Sequence, residues 1–155
     1  MNTFIPHAIE ELSIRADADE VRRVSIWLET VGLKHGVPAE HIGRLDLCLH
    51  EALANVIAHG GAVALPAPVC LHFDTHRNEG TGQAAVTISD AGMAFDPLVA
   101  RSKVRPQTLA EAKPGGLGLS MMRSNADDLS YCNREGCNHL TFVVRWAESA
   151  SGQVK

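Results

Sequence analysis

The amino-acid sequence predicts a two-layer α/β sandwich: a mixed, mostly antiparallel sheet with about three helices packed on one face. Three observations carry this. Several short segments alternate apolar and polar residues, so each would bury one face, as strands of a one-sided antiparallel sheet do. Other segments repeat their apolar residues at helical spacing. At 155 residues and 45% apolar composition, the chain has the size of one domain with a real core.

The first strand is "IEELSIRA", where Leu12 and Ile14 oppose Glu11, Ser13 and Arg15. Asp17 or Asp19 in "ADADE" then offers a helix N-cap, and Val21, Val24, Leu28 and Val31 follow at helical spacing. Gly36 and Pro38 in "KHGVP" break that helix. A second helix covers approximately residues 39–59, with Ile42, Leu45, Leu49, Ala52, Leu53 and Val56 on its apolar face. Gly60 and Gly61 stop it. After the prolines of "AVALPAP" come strands in "VCLHFDTH" and "AAVTIS", joined by the hairpin loop "RNEGTGQ". Residues 92–115 carry Pro97, Pro106 and Pro114 and weak periodicity. Loops of that length in compact domains are functional or mobile, so a lid with at most short helical turns is expected. A third helix follows Gly116. Strands at 129–133 and 139–146 close the sheet through a hairpin over "REGC", and the polar tail "ESASGQVK" is expected to fray.

The formal net charge of −4 lacks the basic surplus of a general nucleic-acid binder, although Arg101, Lys103 and Arg105 gather in "ARSKVR". The start "MNTFIPHAIEELSIR" has acids where the apolar centre of a secretory signal would sit, and no apolar run is long enough to span a bilayer. The expectation is a soluble cytoplasmic protein with no membrane contact and no direct nucleic-acid partner. Cys48, Cys70, Cys132 and Cys137 form no C-x-x-C pair. Cys132 and Cys137 flank the turn "NREG" and could face each other across it, as reduced thiols. The eight histidines are scattered without metal-ligand spacing.

Three clusters carry chemistry. In "HEALANVIAH", Glu51 and Asn55 are four residues apart, so they share a helix face. They are either a solvated polar face or a carboxylate and a carboxamide aimed into a cleft. In "ISDAGMAFDP", Asp90 ends a strand just before Gly92. It is either a turn residue or an acceptor for the exocyclic amine of adenine. In "KPGGLGLSMMRSNADDLSY", Gly115, Gly116 and Gly118 open a helix whose first amides lack internal partners and attract anions. No G-x-x-x-x-G-K-[ST] occurs, and no strand leads into the glycines as a dinucleotide fingerprint requires.

Taken in order, the E-x-x-x-N helix, the D-x-G after a strand, the lid-length gap and the G-G-L-G-L helix start resemble the N, G1 and G2 boxes of the Bergerat-type ATPases. That superfamily includes the gyrase B subunit and histidine kinases. Within it, "EALANVIAHG", "DAGMAFDP", "GGLGLSMMRSNADDLSY" and the closing "GCNHLTFVVRW" look like the anti-sigma factor serine/threonine kinases of partner-switching systems. The resemblance implies one histidine-kinase-like ATPase domain over residues 1–155. Its core would be about 8–147, its ATP lid about 93–114 and its frayed tail 148–155.

The resemblance further implies ATP and Mg2+ as cofactors. Glu51 matches the family's general base, and Asn55 matches its magnesium ligand, an amide oxygen suited to a hard cation. Asp90 matches the adenine reader, with Gly92 giving the base close access. Gly115, Gly116, Leu117, Gly118 and Leu119 match the phosphate-binding turn. Arg101, Lys103 or Arg105 matches a basic lid residue that some members place on the γ-phosphate. The implied partners are a STAS-domain anti-anti-sigma protein, phosphorylated on Ser or Thr, and a sigma factor; a homodimer is compatible with the resemblance. The chain departs from the pattern at Ala94, where many relatives carry a glycine, and in "AHGG" after Asn55, which lacks a common aromatic. Three other readings stay open at this level. They are an ATP-binding sequestration module, a switch kinase unconnected to sigma factors, and a detached histidine-kinase catalytic domain.

Overall fold

The computed structural model describes residues 7–15, 17–60, 68–92, 96 and 116–148. The expected tail beyond 148 lies outside these residues, as does the expected lid apart from Asp96. Strand β1 (His7–Ile14) leads to a 3-10 turn, Ala18–Glu20, which Asp17 caps by accepting from the Asp19 N–H at 2.9 Å. Helix α1 (Val21–Lys34) follows directly. It ends in a Schellman turn. Gly36 takes φ +79°, its N–H donates to the Leu33 carbonyl, and the Val37 N–H donates to the Gly32 carbonyl at 2.9 Å. Helix α2 (Ala39–Gly60) starts at once, its first turn bonded to the Pro38 carbonyl.

Strands β2 (Val69–Asn78) and β3 (Thr81–Asp90) pair from Cys70↔Ser89 out to Asn78↔Thr81. The expected loop 77–83 is therefore mostly strand. Gly80, at φ +74°, lets the chain reverse over Glu79 and Gly80 alone, so pairing continues to the tip. Helix α3 (Gly116–Asn125) precedes β4 (Asp128–Arg134) and β5 (Cys137–Ala147). Glu135 and Gly136 both take positive φ, the requirement of a two-residue type I′ hairpin. This turn sets Cys137 opposite Arg134 and Cys132 opposite His139, so the two cysteines do not sit across from each other as the sequence allowed. All four cysteines are free thiols.

The sheet order is β1-β2-β3-β5-β4, and every ladder among the described residues is antiparallel. The last strand in sequence thus lies inside the sheet, beside β3. Burial alternates along the strands: Leu71 and Phe73 on β2, Val86 and Ile88 on β3, and Phe142 and Val144 on β5 all face the helices. Against them α1 sets Val24 and Leu28, and α2 sets Leu45, Leu49 and Leu53, forming one core. Fully burying one such side chain is worth about 1.5–3 kcal/mol.

Two contacts fix the far end of the sandwich and the α3–β4 corner. Gly82 lies opposite Trp146, and a Cβ there would fall 2.3 Å from the indole. Overpacking of this kind costs about 1–3 kcal/mol. Gly82→Ala should accordingly lower the urea midpoint with the unfolding slope unchanged. At the corner, the Asp127 carboxylate accepts from the Arg145 backbone N–H at 2.6 Å and from Arg44 at 3.1 Å. Burial works against its charge, but these donors outweigh that and hold its carboxyl below the ordinary value. A folded-state value that is depressed gives stability present above the ordinary carboxylate range and lost as pH falls through the folded value. In a stability-against-pH series, Asp127→Asn should flatten the fall below about pH 4 and weaken the chain at neutral pH.

Candidate active site

The apolar stripe of α2 decides where its polar residues go. Leu45 and Leu49 are fully buried, and Ala52 and Leu53 nearly so, which seats the helix on β3, β5 and α3. That seating also buries Asn55, 7% exposed, and leaves Glu51 half-buried one turn earlier. Among the described residues the Asn55 amide makes no hydrogen bond, and the Glu51 carboxylate makes neither hydrogen bond nor ion pair. Among the described residues the fully buried side-chain polar atom without a partner is His41 Nδ1, so the Asn55 amide keeps a small opening to solvent, through which a further group can reach it.

Helix α3 is held antiparallel to α2 by a short series of contacts. Arg44 donates from Nε to the Asn125 carbonyl at 2.8 Å, and the Cys48 thiol points to the Met122 carbonyl at 3.8 Å. Four residues forward on α2 thus correspond to three residues back on α3. Continued at the helical rise of about 1.5 Å per residue, this register brings the first turn of α3 level with Glu51 and the turn after it. Gly116, Leu117, Gly118 and Leu119 all lie in that first turn, whose amides have no partners within the helix. Gly115, Arg101, Lys103, Arg105 and Ala94 lie outside the described residues.

Asp90 is the last residue of β3 and points to the helix side, 8% exposed. Its Oδ1 accepts from the Gly92 N–H at 2.8 Å and from Asn138 Nδ2 at 3.1 Å. Among the described residues its Oδ2 accepts nothing. Gly92 is itself buried, its carbonyl 3.5 Å from the same Asn138 nitrogen. Asn138 is the direct partner of Asp90 across the β3–β5 ladder and is 7% exposed. The Asn138 amide oxygen accepts from the Tyr131 hydroxyl and, at 3.2 Å, from Asn133 Nδ2.

The sequence reading missed Asn138 because it started the last strand at 139. A signal was present. The inward alternation Trp146, Val144, Phe142 and Leu140 runs back to position 138, where a polar residue stands in an apolar register. The arrangement as a whole offers an unpaired carboxylate, an unpaired amide, one free carboxylate oxygen and a helix N-terminus. These suit a ligand with an amine at one end and anionic groups at the other.

The profile of the histidine kinase-like ATPase domain matches residues 14–144, and the chain belongs to that family. Among individual proteins it is 35% identical over 134 residues to the serine/threonine-protein kinase BtrW of Bordetella bronchiseptica. That alignment covers 86% of this chain and 92% of the relative. Among solved structures it is similar to the RsbU and RsbW domains of Rv1364c from Mycobacterium tuberculosis, with a TM-score of 0.63 at 16% identity. The match covers 92% of this chain and 34% of that one, so this chain spans about a third of its length, and the likeness speaks to fold alone. The resemblance to the serine/threonine kinase branch drawn from the motifs thus holds for family and fold. No helix among the described residues is long and apolar enough to cross a membrane.

Burial also quiets the Cys48 thiol, one turn before Glu51 on α2. Burial pushes its pKa up to about 11; Arg44 opposes the shift and the Glu51 charge adds to it, while Cys70 and Cys132 are exposed. Iodoacetamide at neutral pH should therefore modify the exposed Cys70 and Cys132 in the folded chain and spare Cys48 until the chain is denatured. Mass spectrometry of the digested product reads this directly.

Proposed function

We propose that this protein is an ATP-dependent serine/threonine protein kinase and anti-sigma factor of a partner-switching system, acting on a STAS-domain anti-anti-sigma protein. The observation that carries the reading is the unbonded amide of the largely buried Asn55, one turn from the unpaired Glu51. Family membership and the serine/threonine-protein kinase relative support it.

In this reading the free Oδ2 of Asp90 accepts the exocyclic amine of adenine, and Gly92 lets the base approach. The first-turn amides of α3 hold phosphate oxygens, together with Gly115 before them and Arg101 or Arg105 from the expected lid. Asn55 would hold Mg2+ through its amide oxygen; the ion supplies charge neutralisation on the phosphates when bound. Glu51 orients the Ser or Thr hydroxyl of the partner and takes its proton. The hydroxyl oxygen bonds to the γ-phosphorus as the bond to the bridging oxygen breaks, and ADP leaves with that electron pair. A sigma factor would be the second partner, held when the STAS protein is absent.

Calorimetry with ATP, in magnesium and then in EDTA, is the first test. Binding should need magnesium and fail in Asp90→Asn. Glu51→Ala should keep ATP binding but cut phosphoryl transfer to the STAS-domain protein by about 100-fold or more. Transfer at the full rate in Glu51→Ala would exclude Glu51 as the base. Magnesium-dependent ATP binding with no transfer in the unaltered chain would favour a sequestration module instead.

A further inference from the structure

We propose that Tyr131, acting through Asn138, sets the base selectivity of this site by holding the Asp90 carboxylate in a single orientation; the inference rests on the reading of Asp90 as the adenine contact. A carboxylate free to rotate presents two oxygens side by side. Guanine offers two adjacent donors, its ring N1–H and its exocyclic amine, which such a pair accepts together. Adenine offers one amine, beside a ring nitrogen that can only accept, so one oxygen is enough. Discrimination against guanine therefore gains from a carboxylate that shows the ligand one oxygen only.

This chain has that arrangement. Oδ1 of Asp90 is occupied by the Gly92 N–H at 2.8 Å and by Asn138 Nδ2 at 3.1 Å, which leaves Oδ2 for the base. The Asp90 carboxylate can only accept and so draws the Asn138 nitrogen, while the Tyr131 hydroxyl and Asn133 Nδ2 anchor the amide oxygen on the other side and fix where that nitrogen sits. A flipped amide would set its oxygen against the carboxylate and its N–H groups against those of Asn133, a mismatch at both ends. With Asn138 7% exposed, water is poorly placed to repair it. Tyr131 never reaches the nucleotide. It is a positioning residue on β4 that acts two bonds away, with inward-facing Leu140 as its own ladder partner.

The test measures ATP and GTP affinity by calorimetry for the full chain, Tyr131→Phe and Asn138→Asp, with thermal melting as the folding control. Tyr131→Phe deletes one donor while Asn133 remains. Its ATP affinity should fall about 2- to 10-fold with GTP affinity unchanged or higher, so the ATP-to-GTP ratio falls. Asn138→Asp keeps the shape but sets a second carboxylate against Asp90. Its ATP affinity should be poor near about pH 8 and recover as pH falls and the pair takes up a shared proton. The unaltered chain should show no such recovery. A purely structural loss would lower both nucleotides together and leave the ratio and the pH profile in place. Ratios within about twofold of the unaltered chain in both variants would overturn the relay while leaving the adenine reading intact. Failure of the unaltered chain to bind ATP would overturn both.

Discussion

The apolar stripe of α2 pressed into the sheet is the contact on which the other features hang. Leu45, Leu49, Ala52 and Leu53 fix both the roll and the depth of the helix, and with them every polar residue it carries. Arg44 is thereby placed to reach the Asn125 carbonyl and the Asp127 carboxylate, which fixes the end of α3 and the start of β4. Glu51 and Asn55 follow one and two turns beyond Cys48, on the stretch level with the start of α3. A substitution that rolled α2 by a few tens of degrees would keep much of the hydrophobic burial and yet scatter these groups.

The second fixed point is polar. Asp90 and Asn138 face each other across the two central strands and point inward, where the rest of each strand is apolar. Unpaired, either would be costly in that position. Paired, with Gly92, Tyr131 and Asn133 completing the set, they form a small network at the mouth of the core. Because most of its members sit on strands, their geometry follows from sheet register and leaves little to loops. Strand β4, at the sheet edge, helps to define a carboxylate on β3 that it does not touch.

Much of this was legible in the sequence, for physical reasons that differ by element. Two-residue and helical periodicities report burial, so β2, β3, α1 and α2 were read close to their observed extents. Strand ends report turn geometry, which periodicity does not see. The hairpin expected at 77–83 became two residues because Gly80 can take positive φ while Arg77 and Asn78 continue the ladder. The position of Cys137 was missed for the same reason, since register depends on where a hairpin turns. Glu51, Asn55 and Asp90 were visible as residues in a pattern. Asn138 shows locally only as a polar residue in an apolar register, and its partner lies forty-eight positions away, which no local pattern names.

The tryptophans sit where they are of use to an experimenter. Trp146 meets the His41 ring at a tilt, with Arg77 5.7 Å above it, opposite the first residues of β3. Trp27 meets Phe73 edge-on, at mid-sheet. Asp90 lies at the other end of β3, roughly 26 Å of extended strand from the Trp146 pairing at about 3.3 Å per residue. Emission from Trp146 therefore reports the integrity of the far end of the sandwich and stays largely blind to whatever occupies the mouth beside Asp90, whereas Trp27, packed on Phe73 opposite Val86, lies about half as far along the strand. The chain carries its own internal standard for folding, separable from any optical label placed on a ligand.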